Sequence, residues 1–420
     1  MQQHNISYLY PGRICLYLIG LSIVIALFNP SGAAVHTMSA RNSRHAMIPD
    51  IHYNYLGRVN DPLAYKCQTQ ANGKHCYGVN QMRNAYSVAP LLSQGFTGKG
   101  RTIVILDAYQ APHLRDDLGD FDARFGLAPI ALNIVAPQGV PSWDSHSVMQ
   151  QTWSAEISVD VEWAHAIAPD AAITLVEAKS ENDPDLIPAL NYAIDKNLGD
   201  IISMSFGEGE DCPGADVLRQ WHDAFVKATS KKITLFSSAG DSGVAQQTCD
   251  GNSWHVMAST PASDTLVTGV GGTTLNADED TGDYSSETAW NEPALKSASG
   301  GGFSATFQKP AYQDQISVIN KKRGVPDVAY NSSTDGGVIT VWSDGSNGPG
   351  GIYSFGGTSV GAPQWSAIVA IADQYSNQRL GLINPILYKI GNTPDWYHSA
   401  FHDIVSGNNG IELQATPKAI

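Results

Sequence analysis

Between residues 102 and 270 short apolar runs alternate with longer segments of helical periodicity, and this alternation constrains the fold more than any single residue does. It predicts strands over 102–107, 172–177, 200–205 and 233–238, helices over about 112–124, 152–167, 184–196 and 214–230, and a further apolar run at 264–270. Strands and helices in strict alternation predict an α/β fold, a mostly parallel sheet with helices on both faces. Residues 276–350 are richer in Gly, Ser, Asp and Asn and read as loops with short strands. No internal repeat or low-complexity tract breaks the chain, so one main domain is expected.

After that loop-rich stretch comes Ser354-Phe355-Gly356-Gly357-Thr358-Ser359-Val360-Gly361-Ala362-Pro363, and then a segment apolar at helical spacing. A run of small residues delivers a serine to a helix start, where backbone N–H groups and the positive dipole end stabilise an oxyanion. Ser359 is therefore the candidate nucleophile. Two short motifs compete with this reading. Gly357-Thr358-Ser359-Val360-Gly361 also fits the G-x-S-x-G elbow of lipases, which needs a later histidine such as His398 or His402, but only about sixty residues remain after the serine. Gly240-Asp241-Ser242-Gly243 resembles the nucleophile segment of trypsin-like proteases, which are all-β.

At 420 residues and 42% hydrophobic content the chain buries a substantial core. Forty acidic against 25 basic residues give a net charge of -15, which argues against nucleic acid as a partner. Such a surface suits a protein working in acid, where carboxylates lose charge and repel one another less.

Residues 14–28 form an apolar run behind Arg13 and before Asn29-Pro30-Ser31-Gly32-Ala33-Ala34. The run is shorter than the ~20 residues of a spanning helix and reads as a signal peptide cleaved near Ala33 or Ala34. The chain then divides into a leader over 1–34, a short extension over 35–73 and the main domain over 74–420. A secreted monomer without stable membrane association is expected. Removing the leader takes Cys15 and leaves Cys67, Cys76, Cys212 and Cys249. Four cysteines permit three pairings; proximity favours Cys67 with Cys76 and, by elimination, Cys212 with Cys249. Zinc competes weakly, because no C-x-x-C or H-x-x-x-H spacing accompanies them.

A serine nucleophile needs a base, and histidine is the usual one. His146 and His165 flank the helix predicted over 152–167 and read as surface or packing residues. That helix itself carries Glu156 and Asp160, four apart and on the face continued by Trp163, Ala164 and Ile167, with Glu162 off that face. Two buried acids on one helical face share a proton, an arrangement suited to acid–base chemistry. Asp241 follows the strand predicted over 233–238, at a strand end of the kind that floors α/β sites, and a protonated aspartic acid there donates to an oxyanion.

Glu156, Asp160, Asp241 and Ser359 together resemble the pattern of the sedolisins, serine-carboxyl peptidases with a subtilisin-like fold. The resemblance spans about residues 74–415 and includes Val104-Ile105-Leu106-Asp107-Ala108-Tyr109, Ala166-Ile167-Ala168-Pro169, Ile202-Ser203-Met204-Ser205-Phe206-Gly207, Gly301-Gly302-Phe303-Ser304, Pro326-Asp327-Val328-Ala329 and Phe401-His402-Asp403-Ile404. It implies Ser359 as nucleophile, Glu156 as general base and acid, Asp160 as its orienting partner and Asp241 as oxyanion acid. The expected activity is hydrolysis of protein or peptide substrates in acid. Asp107 takes a secondary, site-ordering place.

Two departures accompany the resemblance. The family's long inhibitory prosegment has only about fifty residues of room before the core, so the chain is expected to fold without it or with a separate partner. The family also binds one calcium ion, through positions resembling Asp403 and Ile404 and a later Gly-x-Gly-x-Asp segment. Thr416, Lys418 and Ile420 stand where those glycines and that aspartate are expected, which weakens the site. A catalytically silent or poorly folded sedolisin-like protein is the alternative function, and a lipase-like esterase is a third.

Overall fold

The β-rich run Thr102–Ala108 becomes the centre of an eight-stranded sheet because it is apolar on both faces, as a strand covered on both sides must be. This computed structural model describes residues 36–37, 46–49, 51–61 and 76–412. The expected leader, Cys67, Thr416, Lys418 and Ile420 lie outside the described residues.

Across the sheet the order is Tyr284–Ala289, Thr268–Ala277, Thr234–Ser238, Ile201–Met204, Thr102–Ala108, Ala172–Ala178 and Leu132–Val135, with Val328–Asn331 also paired to Thr268–Ala277. Every pairing is parallel except that of Tyr284–Ala289. Helices Asp183–Lys196 and Gly214–Ser230 cover one face and share an apolar cluster with Leu106, Ile202 and Leu235. Val148–Ile167 and Gly361–Ser376 share the cluster of the opposite face with Ile103, Ile105 and Phe236. The predicted α/β architecture is the one observed, with central elements within a few residues of their expected ends.

Val148–Ile167 starts earlier than its periodicity indicates because the Ser147 hydroxyl accepts the Gln150 N–H at 3.3 Å, an N-cap. This helix packs against both Thr102–Ala108 and Gly337–Val341, the latter in a second, five-stranded sheet. Contact with two sheets leaves it no solvent face. Glu162, expected off the buried face, is itself fully buried and accepts the Val341 N–H at 3.0 Å. Trp163 is anchored on the same sheet, its indole N–H donating to Thr340 Oγ1 at 3.1 Å. His165 is buried 2.9 Å from Asp122, and His146 is exposed.

The five-stranded sheet recruits part of the short extension expected over 35–73. His52–Arg58 pairs antiparallel with Gly351–Gly356, which pairs antiparallel with Gly337–Val341. Tyr53 packs edge-on against Trp342 and Tyr353, so an aromatic cluster ties this early strand down. Cys212 and Cys249 form a disulfide, and Cys76 is disulfide-bonded. No helix among the described residues is long and apolar enough to cross a membrane.

Candidate active site

The carboxyl ends of the parallel strands carry Asp107, Ser205 and Asp241, and two elements from outside the sheet bring the rest. Helix Val148–Ile167 presents Glu156 and Asp160 one turn apart, both fully buried. The turn Thr358–Val360, ahead of helix Gly361–Ser376, presents Ser359 at 2% exposure. Gly357 has φ 120°, a conformation open to glycine, and so lets the strand Gly351–Gly356 turn into the serine segment.

Ser205 joins these elements. Its hydroxyl donates to Asp160 Oδ1 at 2.9 Å, and its carbonyl accepts the Ser359 hydroxyl at 3.2 Å. Asp241 is fixed from the serine turn, since its Oδ1 accepts the Thr358 N–H at 2.8 Å and the Thr358 hydroxyl at 2.7 Å. The Thr358 hydroxyl also accepts the Gly240 N–H at 3.1 Å. His52 Nε2 lies 4.0 Å from Asp241 Oδ2 and 2.8 Å from the Ser297 hydroxyl.

Burial sets the electrostatics. It pushes the Glu156 pKa well above the ordinary carboxylate value; the charges of Asp160, Asp107 and Asp241 push it further, and the nearby Ser359 hydroxyl pulls it back. Neither Glu156 oxygen completes a hydrogen bond of ordinary length and angle, so the Ser359 influence is that of a close neighbour. Asp160 is raised by burial and by Asp107, against hydrogen bonding from Ser205 and the proximity of Glu156. Asp107, also fully buried, has no hydrogen-bond partner on either oxygen; burial and then Glu177, its register partner on the adjacent strand, raise its pKa. Burial alone takes Glu177 to about 7. Acids this close in a dry site hold protons in common.

Glu156, Asp160, Asp241 and Ser359, singled out in the sequence, thus gather with Asp107 around one point. Ser205, the link between the acid pair and the serine, and Thr358, which fixes Asp241, carried only a motif signal. The late histidines lie elsewhere: His398 and His402 line a cavity of about 750 Å³ with Tyr86, Glu287, Tyr330 and Asp403, and Ser359 is not part of its lining.

Among the described residues, no oxygen-rich ligand set for calcium gathers around Asp403 and Ile404. Asp403 is exposed and takes the Tyr397 hydroxyl at 2.6 Å. Among the described residues Asp403 joins no group of three convergent His, Cys, Asp or Glu ligands; the one such group, Asp211 with Cys212 and Cys249, has its sulfurs in a disulfide. Calcium needs six to eight oxygens.

No protein-family model matches the chain. Kumamolisin of Bacillus sp. (strain MN-32) is 29% identical over 363 residues, covering 84% of this chain and 61% of that protein. Sedolisin of Pseudomonas sp. (strain 101) is 29% identical over 329 residues, covering 75% and 53%. Tripeptidyl-peptidase 1 of Dictyostelium discoideum is 28% identical, covering 70% and 47%. The chain spans about half the length of these curated relatives. Among solved structures, Pseudomonas sedolisin, a serine-carboxyl proteinase complexed with two molecules of pseudo-iodotyrostatin, matches with a TM-score of 0.70 and 27% identity over 80% of this chain and 90% of that one.

Proposed function

Because the chain belongs to the sedolisin family and has its subtilisin-like fold, we propose that it is a secreted serine-carboxyl endopeptidase that hydrolyses peptide bonds in acid. The observation that carries this reading is the convergence, through Ser205, of a sequestered acid pair on one helix with a serine turn on another element.

In this mechanism Ser359 Oγ attacks the scissile carbonyl carbon and its proton passes to Glu156. Its present bond to the Ser205 carbonyl is a resting arrangement, and rotation about the serine side chain redirects the hydroxyl to the carboxylate. Asp160, held by Ser205, orients Glu156 and shares its proton. Asp241, fixed on one oxygen by Thr358, donates from the other to the oxyanion when it is protonated. Collapse breaks the C–N bond with the Glu156 proton moving to the leaving amine, and water then hydrolyses the acyl-enzyme.

Acid dependence follows from the two roles. The base must be ionised and the oxyanion donor protonated, so activity is confined between the first ionisation of the Glu156/Asp160 pair and the loss of the Asp241 proton. Hydrolysis of denatured protein between about pH 3 and 8, beside Ser359→Ala and Glu156→Gln, tests the reading. Activity restricted to acid and absent from both variants is expected; an optimum near pH 8, or turnover that survives Glu156→Gln, would sink it.

A further inference from the structure

The cavity of about 750 Å³ beside His398 and His402 is separate from the Ser359 centre: none of Glu156, Asp160, Asp241 and Ser359 lines it. Its walls come from strand Val328–Asn331, helix Gly361–Ser376 and the short helices Asn384–Gly391 and Pro394–Ala400, among others. Tyr86, Tyr330, Trp365, Tyr388, Tyr397 and Phe401 bring six aromatic rings to them. A space of this volume, mostly apolar and aromatic with a few polar groups, is of the kind that takes a small organic molecule.

The charge of the walls selects among such molecules. Glu287, Asp327 and Asp403 line the cavity and neither lysine nor arginine does; the groups there able to turn positive are the imidazoles of the exposed residues His398 and His402. Two of the three carboxylates are engaged. Asp327 is paired with Arg323 and takes the Tyr388 hydroxyl at 2.9 Å, and Asp403, exposed at the rim, takes the Tyr397 hydroxyl at 2.6 Å.

Glu287 is different. It is buried, and its Oε1 accepts the Tyr86 hydroxyl at 2.6 Å and the Thr273 hydroxyl, whereas among the described residues its Oε2 accepts nothing. The Tyr330 ring stacks on Tyr86 with centroids 3.7 Å apart, and the Tyr330 hydroxyl is buried without a partner. Tyr86 cannot serve it, because the Tyr86 hydroxyl already donates to Glu287 and accepts the Asn331 N–H at 2.9 Å. Burial raises the Glu287 pKa, against the hydrogen bonds from Thr273 and Tyr86 and the charge of His402, and a cation beside Oε2 would hold this carboxyl ionised. One ammonium group meets both demands: it offers three N–H donors to the carboxylate and the hydroxyl, and its charge suits the faces of aromatic rings.

We propose that this cavity binds a small organic amine, protonated at nitrogen, whose ammonium group donates to Glu287 Oε2 and the Tyr330 hydroxyl while its apolar body lies among the rings of Trp365, Tyr397 and Phe401. A neutral molecule of the same shape gains only the apolar contact, and an anion is repelled. The site stands apart from the Ser359 chemistry; the two share helix Gly361–Ser376, which follows the serine turn and places Trp365 and Ile368 on the cavity wall.

Isothermal titration calorimetry of the full chain, at about 0.15 M salt and about pH 8, above the ordinary carboxylate range, compares three probes of similar shape: 2-phenylethylammonium, 2-phenylethanol and 3-phenylpropionate. The ammonium probe is expected to bind at least about tenfold more tightly than the alcohol, and the anion most weakly. Glu287→Gln keeps an acceptor for Tyr86 and Thr273 and should bring the cation down to the affinity of the alcohol, whose own binding stays as it was. Equal affinities for cation and alcohol, or no binding of the cation at about 10 mM, would overturn the site. So would a cation preference that survives Glu287→Gln, since the attraction would then belong to the net charge of -15 and not to this carboxylate. Leu91→Trp, at an exposed position on the cavity lining, keeps the test open should the amide variant fail to fold. Its added bulk should weaken the ammonium probe at least about tenfold, and undiminished binding would put the probe elsewhere and overturn the proposal.

Discussion

Glu210 and Glu156 are both fully buried, yet their surroundings are opposite in kind. Glu210 accepts from the Ser263 and Ser304 hydroxyls at 3.0 and 2.5 Å and from the Ala305 and Thr306 N–H groups at 2.5 and 3.3 Å. Those donors replace the water lost on folding, so the carboxylate ties loops together as a fixed acceptor. Glu156 has no such donors; its neighbours are Asp160, Asp107, Asp241 and a serine hydroxyl. A buried acid with donors is structural, and one among other acids holds and hands on protons.

Substituting each acid by its amide breaks the comparison most sharply. Glu156→Gln should lower kcat/KM by about 10⁴-fold or more, as losses of a proton acceptor in serine hydrolases do, while Tm near neutral pH stays level or rises because a repelling buried carboxyl is gone. Steady-state hydrolysis and thermal unfolding of the same preparation check it. Retained activity would remove Glu156 from the mechanism.

The pH dependence of stability carries the next largest effect. Asp117, Glu177 and Asp373 are each raised to about 7, chiefly by burial, and the acids around Ser359 are raised as well. Raised carboxyl pKa values mean that the native state binds more protons than the unfolded chain. The stabilisation is complete below the unfolded value of about 4 and drains away as pH rises through about 7. Tm is therefore expected to fall by several degrees between acid and neutral pH. A Tm that climbs over that range would mean that lowered carboxylates, not the buried raised ones, dominate.

Glu210→Gln tests the other half of the contrast. It puts an NH₂ group among four donors and should cost about 1–3 kcal/mol in denaturant unfolding, while kcat/KM per folded molecule is unchanged. A loss of activity without loss of stability would show that the two acids do not divide as argued.

The same contrast explains what was legible in the sequence. Central strands such as Thr102–Ala108 hold short apolar runs, here Ile103 to Leu106, so their existence and the parallel sheet could be read locally. Glu156 and Asp160 were legible because helical spacing alone puts them on one face. Glu162 was misplaced because amphipathic reasoning assumes one solvent face, and this helix lies against two sheets. His52–Arg58 gave no strand signal: its HYNYLGR sequence mixes polar and aromatic residues, and the partner that orders it is near the other end of the chain. Ser205 had the right motif, but a serine at a strand end acquires its role only when Asp160 and Ser359 arrive from separate elements.

The smallest expected effect concerns calcium, where the donor set decides. Around Asp403 the described residues offer one exposed carboxylate engaged by Tyr397, with Ile404 able to add a carbonyl; the positions expected to complete the shell hold Thr416, Lys418 and Ile420. An ion bound so incompletely has a dissociation constant above the millimolar range of loosely built extracellular sites. At about 1 mM calcium such a site stabilises by less than about 0.4 kcal/mol, which moves Tm by no more than a degree or so. Thermal unfolding with added calcium and with chelator should therefore superimpose, and Asp403→Asn should change neither curve. A calcium-dependent rise of several degrees, abolished by Asp403→Asn, would mean that oxygens from outside the described residues complete the shell after all.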